Sequence, residues 1–513
     1  MTSRASGFGA KLGRLGSESL VYGLSTILGR FLGYLLQPFY VSQFAPADNG
    51  IQTLVYVLLS LVSVPFLMGL DVAYMRNSAA IDQDPDPVRS RQRAFTMSFA
   101  MVATMGIGLV AIGFALIPWA GRTFGLPHTA LRYLLLIVYT DTLLAIPWAT
   151  LRMTNRAVRF AILRLCFVGL SIVLNIVFIV GLHWGVEAIF LANLLANLAL
   201  LVVFIPEIAR LFRPAMLGRG SGWRALWAYA LPIVPASFAV MLVENADRLL
   251  LNQISPAAAQ AVYGLTPKQV VGIYGFNYKL GVVMLLVVQM FRMAWTPFML
   301  TQARDPQAPQ LFSRVLTALA LVCSVVFLGV ALYLPAVVRI PVVFHIARDP
   351  AYWLGLPIVP VILLGYAFSG MYAVVSSGLY IERRTGILPW IAGAGAVLNV
   401  IVCWVAASRW GMVAVAAATP LSYGLMTALG AWQAGRFYRV PYEWGRVLHI
   451  AVIVLGLYLL DRWLAHGGAM AALGSAFAIK TALLLAFPLL LWLTRFFRAG
   501  EWRALRGLVR RGA

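Results

Sequence analysis

Charge is scarce in this chain. Only 11% of its 513 residues are Asp, Glu, Lys or Arg, against about 25% in a typical soluble domain. Lysine is nearly absent, four residues against 36 arginines. None of the four follows a glycine, so the Gly-Lys-Ser/Thr phosphate loop of an ATP-driven machine is missing. The five histidines are scattered and no His-Glu-x-x-His occurs, so no metal site or other cofactor is expected. Cys166, Cys323 and Cys403 all lie in apolar stretches and read as buried small hydrophobes, with no disulfide framework. Asp82-x-Asp84-x-Asp86 imitates a calcium loop, but that loop wants a glycine next and an acid at position twelve, where Pro87 and Arg93 stand. It reads as a solvated loop.

What is present is apolar surface. Hydrophobic residues make up 61% of the chain and the mean hydropathy is +0.85, which places the chain in the membrane class before any motif is read. Stretches long enough to cross about 30 Å of hydrocarbon predict some fourteen helices. The first six are Ser19–Gln43, Ile51–Tyr74, Ala94–Ala120, Leu131–Leu151, Ala161–Leu182 and Val186–Phe212. The next six are Trp227–Leu251, Val270–Met293, Val315–Val338, Trp353–Ile381, Ile387–Ser408 and Met412–Phe437, followed by Val447–Leu464 and Ala471–Leu493. The run from Ser19 is longer than a signal-peptide core and has no small-residue cleavage site, so it is expected to remain as the first helix.

The net charge of +23 would suggest nucleic acid in a soluble chain. Here the arginines fall in short gaps on alternate sides of the apolar segments. With the N-terminus inside, 28 basic residues fall on the inner side and 9, Lys480 among them, on the outer. Arg30, Lys279 and Arg292 remain within the membrane. This positive-inside asymmetry predicts both termini in the cytoplasm and no nucleic-acid partner.

Four ordered matches recur at an offset of about 222 to 228 residues. Gly50-Ile51 with Tyr56 pairs with Gly272-Ile273 and Tyr278. Leu151 with Arg156 pairs with Leu379 and Arg384. Leu174-Asn175 pairs with Leu398-Asn399, and Trp184-Gly185 with Trp410-Gly411. The expected organisation is a lobe of helices 1–6 over residues 1–218, a parallel second lobe over 219–440, and two extra helices with a basic tail over 441–513. Six helices per copy return the chain to its starting side, so the copies are related by an axis along the membrane normal.

Charges inside a membrane mark function by default, because each is costly to insert. Arg30 shares a helical face with Tyr22, Thr26, Gly33 and Tyr34. Tyr278, Lys279 and Arg292 stand on the eighth helix and Glu244, Asp247 and Arg248 on the seventh. Arg30, Lys279, Arg248 and Arg292, with Tyr34 and Tyr278, are the candidate cavity residues, since guanidinium and ammonium groups suit a diphosphate and aromatic rings suit sugars. Asp141, alone at the middle of the fourth helix, is a candidate proton site, and Glu244 and Asp247 are further coupling candidates. Glu244 and Arg248, four residues apart, equally fit a structural pair. Arg152 and Arg156, echoed by Arg383 and Arg384, are candidates for a cytoplasmic gate.

The 6 + 6 + 2 layout resembles the oligosaccharide flippases of the multidrug/oligosaccharidyl-lipid/polysaccharide exporter superfamily, whose relatives include lipid II flippases and multidrug extruders. The resemblance rests on Ser19 to Tyr40, on Leu231-Pro232-Ile233-Val234-Pro235, and on Asp247-Arg248. It continues through Val271-Gly272-Ile273-Tyr274 to Tyr278-Lys279, and then Gly378-Leu379-Tyr380-Ile381 with Arg383-Arg384. The insert Ser255 to Pro267 departs from that pattern. The resemblance implies a non-enzymatic carrier in a bacterial inner membrane that moves a polyprenyl-diphosphate-linked oligosaccharide outward. With no ATP site, the energy is expected from an ion gradient such as H+ or Na+, the membrane potential or the substrate gradient, and the resemblance implies glycosyltransferases or a polymerase as partners. A cation-coupled multidrug extruder is the alternative, although that class prefers carboxylates where this chain has Arg30 and Lys279. A membrane glycosyltransferase, ligase or polymerase would need catalytic carboxylates on sizeable outer loops, which the sequence lacks.

Overall fold

The computed structural model describes residues 36–79, 86–154, 156–217, 227, 231, 233–303 and 305–497. The described part is all-helical, as expected. Its helices are α1 (Pro46–Leu67), α2 (Leu70–Ala79), α3 (Pro87–Phe124), α4 (His128–Met153), α5 (Ala157–Ile176) and α6 (Glu187–Leu211). Then come α7 (Ile233–Asn252), α8 (Pro256–Tyr263), α9 (Pro267–Gln302), α10 (Ala308–Val337), α11 (Pro341–Phe344) and α12 (Ile358–Val375). The last are α13 (Ser377–Ile381), α14 (Leu388–Ala407), α15 (Gly411–Ala416), α16 (Ala418–Phe437), α17 (Trp444–His466) and α18 (Leu473–Leu493).

Twelve spans among the described residues are long and apolar enough to cross a membrane. Of the other two expected spans, Ser19–Gln43 lies mostly outside the described residues. The seventh is present as α7, but it carries Glu244, Asp247 and Arg248 within twenty residues, too much charge for a span judged by composition. Polar partners inside the fold have to solvate it.

Local chemistry sets the ends. Asp86 caps α3, its carboxylate accepting from the Arg89 amide at 3.1 Å, and Gly125 stops that helix in the left-handed region at φ 60°. At 38 residues and 1.5 Å each, α3 is about 57 Å long, so its first turns, with Arg89, Arg91 and Arg93, run beyond the hydrocarbon.

Packing divides the chain into two compact units, residues 1–276 with 392–418, and residues 277–391 with 419–513. Helix α9 passes from the first to the second at Phe276. Within the first unit α4 is central, with 72% of its apolar window buried against 17% for the span that begins with α5. Leu70 and Tyr74 of α2, Phe95 and Met101 of α3, and Ile146 and Ala149 of α4 form one core. On the other side Trp148 stands edge-on to Phe160 of α5 and Phe204 of α6. Within the second unit α10 packs on α17 and α18 through Leu328, Leu332, Ile450, Leu457, Leu483 and Phe487. A buried ion pair joins the last two helices, Lys480 Nζ donating to Asp461 Oδ1 at 2.6 Å. Lys480, expected on the outer side, therefore sits a third of the way along α18. Cys323 and Cys403 are buried as expected, but Cys166 is exposed; it lies on a face of α5 with Ile162 and Leu165.

Candidate functional site

In the second unit, Tyr278 and Arg292 of α9 both reach α12. Tyr278 is buried and its hydroxyl shares a 2.9 Å hydrogen bond with that of Tyr366. One turn further along α12, Ser369 receives Arg292. The guanidinium Nη2 donates to the Ser369 carbonyl at 2.7 Å and to its Oγ at 2.6 Å. The Arg292 Nε is buried and makes no hydrogen bond among the described residues. Lys279, beside Tyr278, is half-buried. The sequence did not single out Tyr366 or Ser369, because neither carries charge.

In the first unit Asp247 is 1% exposed and both of its oxygens are engaged. Oδ2 accepts from the Tyr274 hydroxyl at 2.7 Å and Oδ1 from the Arg248 amide at 2.8 Å. Arg248 is buried too. Its Nη1 donates to the Glu244 carbonyl at 2.8 Å and to Asn245 Oδ1 at 3.1 Å, and its Nε is 3.9 Å from Asp247 Oδ1. Glu244 is half-buried. These groups solvate one another, which is how α7 tolerates its charge.

Asp141 is not alone, as the sequence led us to expect. Asn197 Nδ2 of α6 donates to Asp141 Oδ1 at 2.7 Å and lies 3.2 Å from Thr140 Oγ1. One turn away, Asn193 Nδ2 donates to the Tyr56 hydroxyl of α1 at 3.3 Å. Two amides spaced by four on α6 thus serve α4 and α1, a spacing visible in Phe190-Leu-Ala-Asn193-Leu-Leu-Ala-Asn197. Asp141 is otherwise exposed, so its carboxylate is anchored on one side and open on the other.

Of the gate candidates, Arg152 is half-buried at the end of α4 with its Nε unbonded, and Arg156 is exposed just before α5. Arg383 is exposed with φ at 54°, and the Arg384 guanidinium lies 5.1 Å from the centre of the Phe437 ring. Arg30, Tyr22 and Tyr34 fall outside the described residues, as do Asp82 and Asp84. No group of three metal-ligating side chains occurs among the described residues.

With twelve spans among the described residues, and with arginine and aspartate bound inside its bundles, the chain is built as a polytopic membrane protein. The family described as "Polysaccharide biosynthesis protein" matches residues 15–303, more than half of the chain, and the chain belongs to that family. No curated protein matches it in sequence. Among solved structures it is similar to the lipid II flippase MurJ in an inward closed conformation, with a TM-score of 0.64 at 12% identity over 93% of this chain and 100% of that one. It is also similar to an inward-facing multidrug resistance transporter of the MATE family and MOP superfamily, with a TM-score of 0.63 at 13% identity over 82% of this chain and 96% of the other. A superfamily transporter from Pyrococcus furiosus gives 0.54 at 13% identity, over 82% and 96%. The fold is that of flippases and transporters.

Proposed function

We propose that the protein flips a polyprenyl-diphosphate-linked oligosaccharide from the cytoplasmic to the outer leaflet of a bacterial inner membrane. Lobes 1–218 and 219–440 would alternate access, with both termini in the cytoplasm. One observation carries the reading. In the second unit a cavity of about 330 Å³ is walled by α10, α12 and α17, through Cys323, Phe327, Phe368, Met371, Ile450 and Val454. A second, of about 700 Å³, runs on towards α16 and shares Phe368, Met371, Val447 and Ala451 with the first. Next to Phe368 on the same helix, Ser369 holds the guanidinium of Arg292. Apolar cavities on a helix that also holds a fixed cation on another of its faces suit an amphiphile with a branched hydrocarbon tail and an anionic head.

Reconstituted vesicles test this. Translocation of a polyprenyl-diphosphate oligosaccharide should proceed with the native chain and fail in Ala451→Trp, which puts an indole where the two cavities share a wall. Dye extrusion by native vesicles, with no movement of the lipid-linked sugar, would overturn the reading. The Asp141 cluster supports gradient coupling by H+ or Na+, and it is what a cation-coupled multidrug exporter would also use; the dye arm separates the two.

A further inference from the structure

Three side chains tie the end of α3 to the ends of α7 and α9. Lys268 Nζ donates to the Phe124 carbonyl and, at 2.8 Å, to Asn252 Oδ1. Asn252 Nδ2 donates to the same Phe124 carbonyl at 3.1 Å, and Gln253 Nε2 donates to the Thr123 carbonyl at 3.1 Å. We propose that Lys268, with Asn252 and Gln253, is a latch that holds the outer mouth of the transporter shut and lets go when that mouth opens. This rests on the alternating-access part of the reading above, and not on the substrate.

The placement of Lys268 serves the neighbouring helix and not its own. It stands in the first turn of α9, where a cation opposes the helix's own dipole, so it does nothing for the helix that carries it. Thr123 and Phe124 close α3, and their carbonyls belong to the set that a helix leaves without partners and with partial negative charge. Gly125 follows at φ 60°, and a Cβ there would lie 3.4 Å from Lys268 Cε, so the ammonium comes straight onto the turn. Tyr263 of α8, in the insert, uses the same tactic on α14. Its hydroxyl donates to the Ala407 carbonyl at 2.7 Å, and burial pushes the phenol up to about 12, so it stays a donor.

Beneath the latch lies a seam where backbone meets backbone at two glycines and a third meets the Thr53 side chain. A Cβ on Gly272 would come within 1.8 Å of the Pro46 carbonyl oxygen, and one on Gly50 within 2.1 Å of the Lys268 carbonyl oxygen. A Cβ on Gly275 would meet Thr53 at 2.5 Å. At Gly50 and Gly272 no interlocked side chain has to be stripped out for the helices to part, and the polar bonds at the rim add directional fastening. Lys268 and Asn252 are half-exposed and Gln253 is exposed, which lets water take over each hydrogen bond as it breaks. The device is one-sided, because the repeat partner of Lys268 at the offset of the glycines is Pro46, which donates nothing.

The test uses Thr53→Cys as a reporter under the seam, in a Cys166→Ser background of the full chain, labelled in intact cells with a membrane-impermeant maleimide. Lys268→Met should raise the labelling rate about tenfold, and Lys268→Arg should keep it slow, since it restores the charged donor. Asn252→Ala with Gln253→Ala should raise it as well, and decides the matter if Lys268→Met does not accumulate. Unchanged labelling in a variant of normal abundance overturns the latch. Labelling needs no lipid-linked sugar, so a responsive latch in a protein that moves none would sink the flippase reading and leave the latch standing.

Discussion

At Arg292 two hydrogen bonds to Ser369 fix the guanidinium while its Nε stays buried without a bond. If that group grips the diphosphate, Arg292→Lys keeps the charge but loses the fork. Initial translocation rates in vesicles should then fall about tenfold at unchanged abundance. Asp141 makes a different prediction. Asp141→Asn preserves the shape that Asn197 holds but removes the charge, so the protein should still insert and lose any dependence of transport on an imposed proton or sodium gradient. Gradient-dependent transport in that variant would remove Asp141 from the coupling role. The charged members of these sites stood out in the sequence, because charge in an apolar run is conspicuous. Their neutral partners did not. Asn193, Asn197, Tyr366 and Ser369 cost little to insert singly, and only tertiary packing shows what each one faces.

Between elements, the Lys480–Asp461 pair joins α17 to α18 with both side chains at most 4% exposed. Lys480→Met leaves a carboxylate buried without its cation and should destabilise the protein by roughly 3–5 kcal/mol, whereas removing both charges in Lys480→Met with Asp461→Leu should be close to neutral. Thermal unfolding in detergent distinguishes the two. The glycine seam predicts the opposite sensitivity, to size and not to charge. Gly272→Ala puts a methyl group 1.8 Å from the Pro46 carbonyl oxygen, beyond what side-chain adjustment relieves, and should cost at least the ~1–3 kcal/mol of ordinary overpacking. Folded yield is the readout, with Gly264→Ala, which meets nothing within 4 Å but sits at φ 65°, as a milder control for strain alone. Neither effect was legible beforehand. Hydropathy carries no information about which helix faces which, so the sequence did not show Asp461 as the partner of Lys480.

Across the whole chain, the helices were legible because a bilayer forces every backbone polar group to be satisfied within its own segment. Expected and observed spans agree at most positions to within a few residues, and α7 is recognisable despite its charge. Orientation is a separate prediction. Reporter fusions after Arg91, Arg156 and Arg439 should read cytoplasmic, and fusions at Trp184 and Pro267 external, with two reversed sites enough to reject the arrangement. The division into compact units was not legible, since it falls inside the continuous helices α9 and α14 and at the first residue of α16.

The two glycines of the seam, Gly50 and Gly272, are also the two members of a repeat match, and each lies against the helix of the other. A residue that meets its own counterpart is what a two-fold dimer makes at its axis, where the same patch serves both partners. A change at either glycine therefore presses on the helix that carries its repeat counterpart.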